Sequence, residues 1–158
     1  MTIKRTRTAD TLTHLILEVF RLNALLVTAG DRMAARLGLT STRWQVLQAV
    51  IDAERPQPVA WLARDMGGNR QNVQRIVNDL QKMRLVTLEV NPRHRRAPLV
   101  VLTDKGRRML DEADRLQAPW ANGLSEDLAI KDIDTTRRLV AELRKKLELE
   151  GERASTLT

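Results

Sequence analysis

The fifteen residues from 69 to 83, NRQNVQRIVNDLQKM, set two kinds of chemistry on opposite sides of one helix. Val73, Ile76, Val77 and Leu80 recur at i, i+3, i+4 and i+7, the spacing of a buried stripe. At 100° per residue the other side holds Gln71, Gln74, Arg75 and Asn78, with Arg70 and Asn72 on its flanks and Asn69 at the capping position. These residue types suit base edges: arginine grips guanine through two parallel donors, and asparagine or glutamine does the same for adenine across the major groove. A second cluster follows shortly after. Arg93, His94, Arg95 and Arg96 sit in a loop between two β-rich runs, 85–90 and 99–102. A hairpin tip loaded with guanidinium groups adds little to an apolar core and offers phosphate contacts, or an arginine for a narrow minor groove.

The elements that must carry these clusters are legible from the spacing and from the breakers. Residues 59–66 predict a short helix with Leu62, Ala63 and Met66 facing inward, stopped by Gly67-Gly68; Asn69 then caps the next helix, which runs to about residue 84. This is helix, glycine turn, helix. Asn91-Pro92 signals a turn, and Pro98 stands at a strand start where its missing N–H is tolerated. Within the loop, Arg96 is expected to hold the hairpin to the body through a carboxylate.

Upstream, residues 1–9 form a basic arm, and Asp10 or Thr11 caps a helix with Leu12, Leu15, Ile16, Val19, Leu22 and Leu26 at helical spacing. Gly30-Asp31 predicts a break, residues 32–37 a short helix closed by Gly38, and Thr40 or Ser41 the start of a helix burying Trp44, Leu47, Val50 and Ile51. Pro56 and Pro58 force an extended connection. Downstream, Thr103 caps a long helix that Pro119 and Gly123 are expected to interrupt, Ser125 restarts it, and Leu139, Val140, Leu143 and Leu147 form a closing stripe. The apolar faces at the two ends exceed what a small central domain covers, so a second subunit is expected against them.

Composition narrows the function classes. The 158 residues carry a net charge of +7, and the excess is local: residues 64–96 hold eight basic and three acidic side chains, whereas residues 111–150 hold ten acidic and seven basic ones. A nucleic acid or another acidic surface is the partner this implies. The absence of cysteine excludes disulfides, thiolate zinc sites and thiol redox sensing. Aromatics at 3% supply few platforms for stacking single-stranded bases. No uninterrupted apolar run reaches bilayer length and no signal peptide is evident, so a cytoplasmic location without a membrane partner is expected. His14 and His94 are too isolated for a metal site, and Gly67-Gly68 lacks the Lys-Ser/Thr of a phosphate-binding loop. Neither an enzyme nor a bound cofactor is expected.

The segment VAWLARDMGGNRQNVQRIVNDLQKMRLVTLEVNPRHRRAPLVVLTDKGRRML resembles the MarR family of dimeric winged helix-turn-helix repressors, and the likeness covers nearly the whole chain. The fold this implies is mainly α with a small β-hairpin wing: a first dimerisation helix with its arm over 1–30, a DNA-binding lobe over 31–103, and C-terminal dimerisation helices with a tail over 104–158. The resemblance implies that 69–83 enters the major groove of a double-stranded operator and that the wing, with Arg93, His94, Arg95 and Arg96, reaches the adjacent minor groove. It also implies a homodimer that releases DNA when a small aromatic or anionic effector binds, for which His14, Arg21 and Trp44 are candidates. The alternative is a winged-helix module whose basic face binds a protein partner or structured RNA. Two departures stand out. Asn91, Arg93 and His94 replace acids common in the family's wing loop, which leaves the loop without its usual acid–arginine restraint. Arg84 replaces a frequent glycine, so its backbone must avoid a positive φ or bear strain.

Overall fold

The computed structural model describes residues 4–156, so residues 1–3 of the expected basic arm lie outside the described residues. Among the described residues, six helices and three short strands follow in the order α1 (Arg7–Ala35), α2 (Ser41–Asp52), β1 (Gln57–Pro58), α3 (Val59–Asp65), α4 (Arg70–Lys82), β2 (Val86–Glu89), β3 (Leu99–Leu102), α5 (Asp104–Ser125) and α6 (Ile130–Thr156). The result is a mainly α fold with a small antiparallel sheet. Two compact units divide the chain, Met1–Ala118 and Pro119–Thr158.

The core of the first unit forms where the apolar faces of α2, α3 and α4 meet the sheet. Leu47, Leu62, Leu80, Leu85, Val77 and Val100 are fully buried there. All four residues of the predicted stripe on α4 are buried, as are Leu62 and Ala63 on α3. On α2, Trp44, Leu47 and Val50 are buried together with Val46, whereas Ile51, expected among them, is exposed. The sheet has the order β1-β3-β2, with Val86 opposite Leu102 and Glu89 opposite Leu99. The connection forced by Pro56 and Pro58 is thus also a strand: Gln57 and Pro58 pair with Val100 and Leu99. Pro58 fits because β1 is an edge strand, where a missing donor costs no internal ladder bond.

Three expectations need correction, two about element boundaries and one about apolar length. First, α1 starts earlier than Asp10, because the Thr6 hydroxyl accepts from the Ala9 N–H at 3.2 Å and caps it. It also runs unbroken through Gly30-Asp31 to Ala35. Gly30 serves close approach rather than termination, since a Cβ there would lie 3.1 Å from the Ser41 Cβ. Asp31, one residue on, accepts a 2.7 Å bond from the Ser41 N–H, so the pair read as a break instead seats the start of α2 against α1.

Second, Pro119 and Gly123 leave α5 continuous. A proline inside a helix deprives the carbonyl four residues back of its partner; here that residue, Arg115, is exposed, and water can replace the lost donor. The helical break comes later, before Ile130, where Asp127 has φ 65°. Third, α1 has the length and composition to cross a membrane, with an 18-residue window of mean hydropathy 1.4. Its middle carries a Glu18–Arg21 ion pair at 2.6 Å, and it leaves Phe20 67% and Leu25 69% exposed.

Candidate nucleic-acid interface

The N-terminus of α4 is built by Asn69, whose side-chain oxygen accepts from the N–H groups of Gln71 at 2.8 Å and Asn72 at 3.3 Å. Two orphan donors of the first turn are thereby satisfied, and the helix can begin directly after the glycine turn. From this fixed start the residues Arg70, Gln71, Asn72, Arg75 and Asn78 all emerge exposed, with Gln74 half-buried. They are not loose. Arg75 donates to the Asn72 side-chain oxygen at 3.0 Å, and Gln74 donates to that of Asn78 at 2.9 Å. Each pair spans one helical turn and leaves further donors and acceptors pointing outward. On the flank, Arg43 of α2 meets Asp79 of α4 at 3.1 Å and ties the helix to its scaffold.

The far end of α4 is closed by a different device. Leu85 N–H donates to the Leu80 carbonyl and Arg84 N–H to that of Gln81, both at 2.9 Å, a paired cap that requires a left-handed residue between. Arg84 is that residue, at φ 60°. The first of the two alternatives for Arg84, avoidance of positive φ, is therefore overturned, because helix and strand must join without a spare residue. The LTDKG motif clamps this junction. Thr103 donates its hydroxyl hydrogen toward the carbonyls of Arg84 at 2.7 Å and Leu85 at 3.2 Å and accepts from Gly106 N–H at 3.0 Å, while Lys105 donates to the Met83 carbonyl at 3.0 Å. Gly106 admits no side chain, since a Cβ would lie 2.1 Å from the Leu85 carbonyl oxygen.

The wing loop between β2 and β3 carries Arg93, His94, Arg95 and Arg96, all exposed. Its expected lack of restraint is corrected by Asn91. This residue is buried; its side-chain oxygen accepts from Arg93 N–H at 3.0 Å, and its amide donates to the Ala97 carbonyl at 2.9 Å. Further bonds run from His94 N–H to the Asn91 carbonyl and from Ala97 N–H to the His94 carbonyl. An aspartate could accept but not donate, so the asparagine closes the loop on both sides with no arginine side chain engaged. The expected carboxylate partner of Arg96 is likewise absent among the described residues.

A groove of about 500 Å³ opens between α4, the wing loop and the segment 55–61. Trp61 lines it at 56% exposure together with Arg55, and neither residue stood out in the sequence. A signal was available: Trp61 precedes the buried Leu62 by one position and falls off the inward stripe of its helix. The effector candidates lie elsewhere. Trp44 belongs to the core, Arg21 pairs with Glu18, and His14 is exposed on α1; none of the three lines this groove. Among the described residues no cluster of histidine and acid side chains could hold a metal ion.

A short helix, a tight turn and a second helix with an exposed polar face, followed by a two-stranded ribbon with a basic tip, define a winged helix-turn-helix protein. The MarR family model matches residues 37–97, the span from the end of α1 through the wing loop. Uncharacterized proteins of Mycobacterium tuberculosis and Mycobacterium bovis are 40% identical over 129 residues, covering 82% of this chain and 89% of theirs. Among solved structures the chain is similar to a MarR/EmrR family transcriptional regulator from Acinetobacter sp. ADP1, with TM-score 0.76 and 18% identity over 87% of this chain and 96% of that one. It is also similar to CouR from Rhodococcus jostii RHA1 bound to p-coumaroyl-CoA, with TM-score 0.74 and 19% identity over 89% and 96%. The chain belongs to the MarR family, whose members are DNA-binding transcription regulators rather than enzymes.

Proposed function

We propose that the protein is a sequence-specific regulator that binds a pseudopalindromic duplex operator as a homodimer and represses transcription from it in the cytoplasm. The observation that carries this reading is the polar face of α4, where Gln74 is hydrogen-bonded to Asn78 and Arg75 to Asn72, with Gln71 exposed alongside, next to an arginine-rich wing. In this reading Asn69, Arg70 and Asn72 position the helix on the backbone, while Arg93, His94, Arg95 and Arg96 supply affinity from the minor-groove side. Two such helices related by a two-fold axis place half-sites roughly 10 bp apart centre to centre.

The second copy, rather than a bilayer, covers the apolar face of α1. That face shares its helix with Glu18 and Arg21, charges that an interface rim accommodates more readily than a hydrocarbon core. The finer part of the proposal is release of DNA by a small aromatic or anionic effector, a class that includes the p-coumaroyl-CoA carried by the CouR structure. The candidate contacts are His14 and Arg21, both on α1, and Trp44 of the core.

Footprinting on the DNA flanking the protein's own gene, followed by a salt titration of the protected duplex against random duplex, tests the reading. A protected palindrome bound more tightly than random sequence, with affinity falling steeply in salt, is the expected result. Equal affinity for both duplexes overturns sequence-specific regulation, and preference for structured RNA transfers the basic face to that partner.

A further inference from the structure

The groove beside Trp61 is explained neither by base reading nor by the wing tip. In duplex DNA a major groove and the minor groove next to it are separated by a single sugar–phosphate strand. A protein that places a helix in the one and a loop in the other must leave room between them for that strand. The groove occupies this position: Arg70 and Gln74 come from α4, Arg93 and Arg96 come from the wing loop, and Arg55 and Trp61 come from the segment leading into α3 and from α3 itself.

Its chemistry matches the occupant. Four arginines and no carboxylate line it, and none of the four forms an ion pair among the described residues. Guanidinium groups without protein partners are available to phosphates, and a concave site without acids focuses positive potential. Trp61 adds what arginine lacks. An indole presents an apolar face suited to a deoxyribose ring and one N–H that donates to a phosphate oxygen. At 56% exposure it offers that face to solvent, whereas Trp44 at 8% is committed to the core.

Resting on the assignment of α4 and the wing to duplex DNA, we propose that this groove is a channel for the intervening sugar–phosphate strand. Trp61 packs on its sugars, and Arg55 and Arg70 pair with its phosphates. The channel contributes affinity and register but no base preference.

Binding of the 158-residue chain to the operator duplex and to random duplex over a salt series tests this. Trp61→Ala weakens both by roughly tenfold, the scale of returning the exposed part of an indole to water. It leaves the salt slope unchanged, because no charge is lost. Arg55→Ala also weakens both, and lowers the salt slope by about one. Trp61→Phe, which retains an aromatic face, guards against a folding defect: operator shields the wild-type tryptophan emission from acrylamide, and this variant loses that shielding. Wild-type affinity in the Trp61→Ala and Arg55→Ala variants, or shielding that survives in Trp61→Phe, overturns the channel alone. Failure of the unmodified chain to bind any duplex overturns the underlying assignment and the channel with it.

Discussion

Arg75 and Arg95 carry the same guanidinium group but are set up for different contacts. Arg75 is steadied by Asn72 on a helix whose register is fixed by the buried stripe beneath it, so its donors reach a defined place. Arg95 projects from a loop that Asn91 closes through backbone groups, without using any arginine side chain. Arg75→Ala is therefore expected to cost about 1 to 3 kcal/mol of binding and to relax the preference at one base pair, measured by competition among operator variants. Arg95→Ala is expected to weaken all sequences alike and to lower the salt slope by about one. Unchanged preference in the first variant means that the reading face is misassigned. Arg84 supplies a test of stability. A non-glycine residue at φ 60° carries strain that glycine lacks, partly offset by the entropy glycine loses on folding, so Arg84→Gly is expected to stabilise the fold by about 0.5 to 1 kcal/mol in urea denaturation. A lower midpoint in this variant places the arginine side chain, rather than the backbone, in control of the junction.

The elements are held in relation by a few polar contacts at their ends. Asp31 near the C-terminus of α1 accepts from the N–H of Ser41 at the start of α2, and this bond, with a second from the Ser41 hydroxyl, holds its carboxyl below the usual aspartate range. A carboxylate with a lowered folded-state pKa binds fewer protons when folded than when unfolded, so stability rises with pH across the interval between the two values. The contribution is complete above the ordinary value of 3.8 and is lost as pH falls through the folded-state value. Asp31→Asn keeps an acceptor but has no charge to titrate, and its thermal midpoint should decline less steeply than the wild type's on acidification below that range. Parallel pH profiles in the two proteins would show that this contact is not what senses acid. Much of the element pattern was legible in advance: the stripe on α4, its Asn69 cap and the glycine turn are local and repeat a period. Gly30 and Pro119 misled because both residues have a general tendency to end helices. Ser41 pressing on Gly30, and solvent beside Arg115, are facts of surroundings that no local pattern contains.

At the scale of the molecule, the clearest demand is the apolar face of α1. Phe20 and Leu25 are each about two-thirds exposed, and Ile133, Leu139 and Val140 of α6 are also uncovered. Burying such side chains against a second copy contributes roughly 1.5 to 3 kcal/mol each. Sedimentation at micromolar concentration is expected to show a dimer, and Leu25→Glu to shift it to monomer with a matching loss of operator affinity. A folded wild-type monomer under those conditions would remove the basis for a two-fold operator. Residue order alone was enough to establish the mainly α character, the helix-turn-helix with its polar face, the basic hairpin and the MarR likeness, because each depends on spacing along one element or one turn. Folding in three dimensions was needed to make β1 a strand, to set Arg84 at positive φ, to give Asn91 two partners across its loop, and to bring Trp61 beside the wing. Those features depend on groups distant in sequence, or on how two elements share a junction, and close packing rather than periodicity settles them.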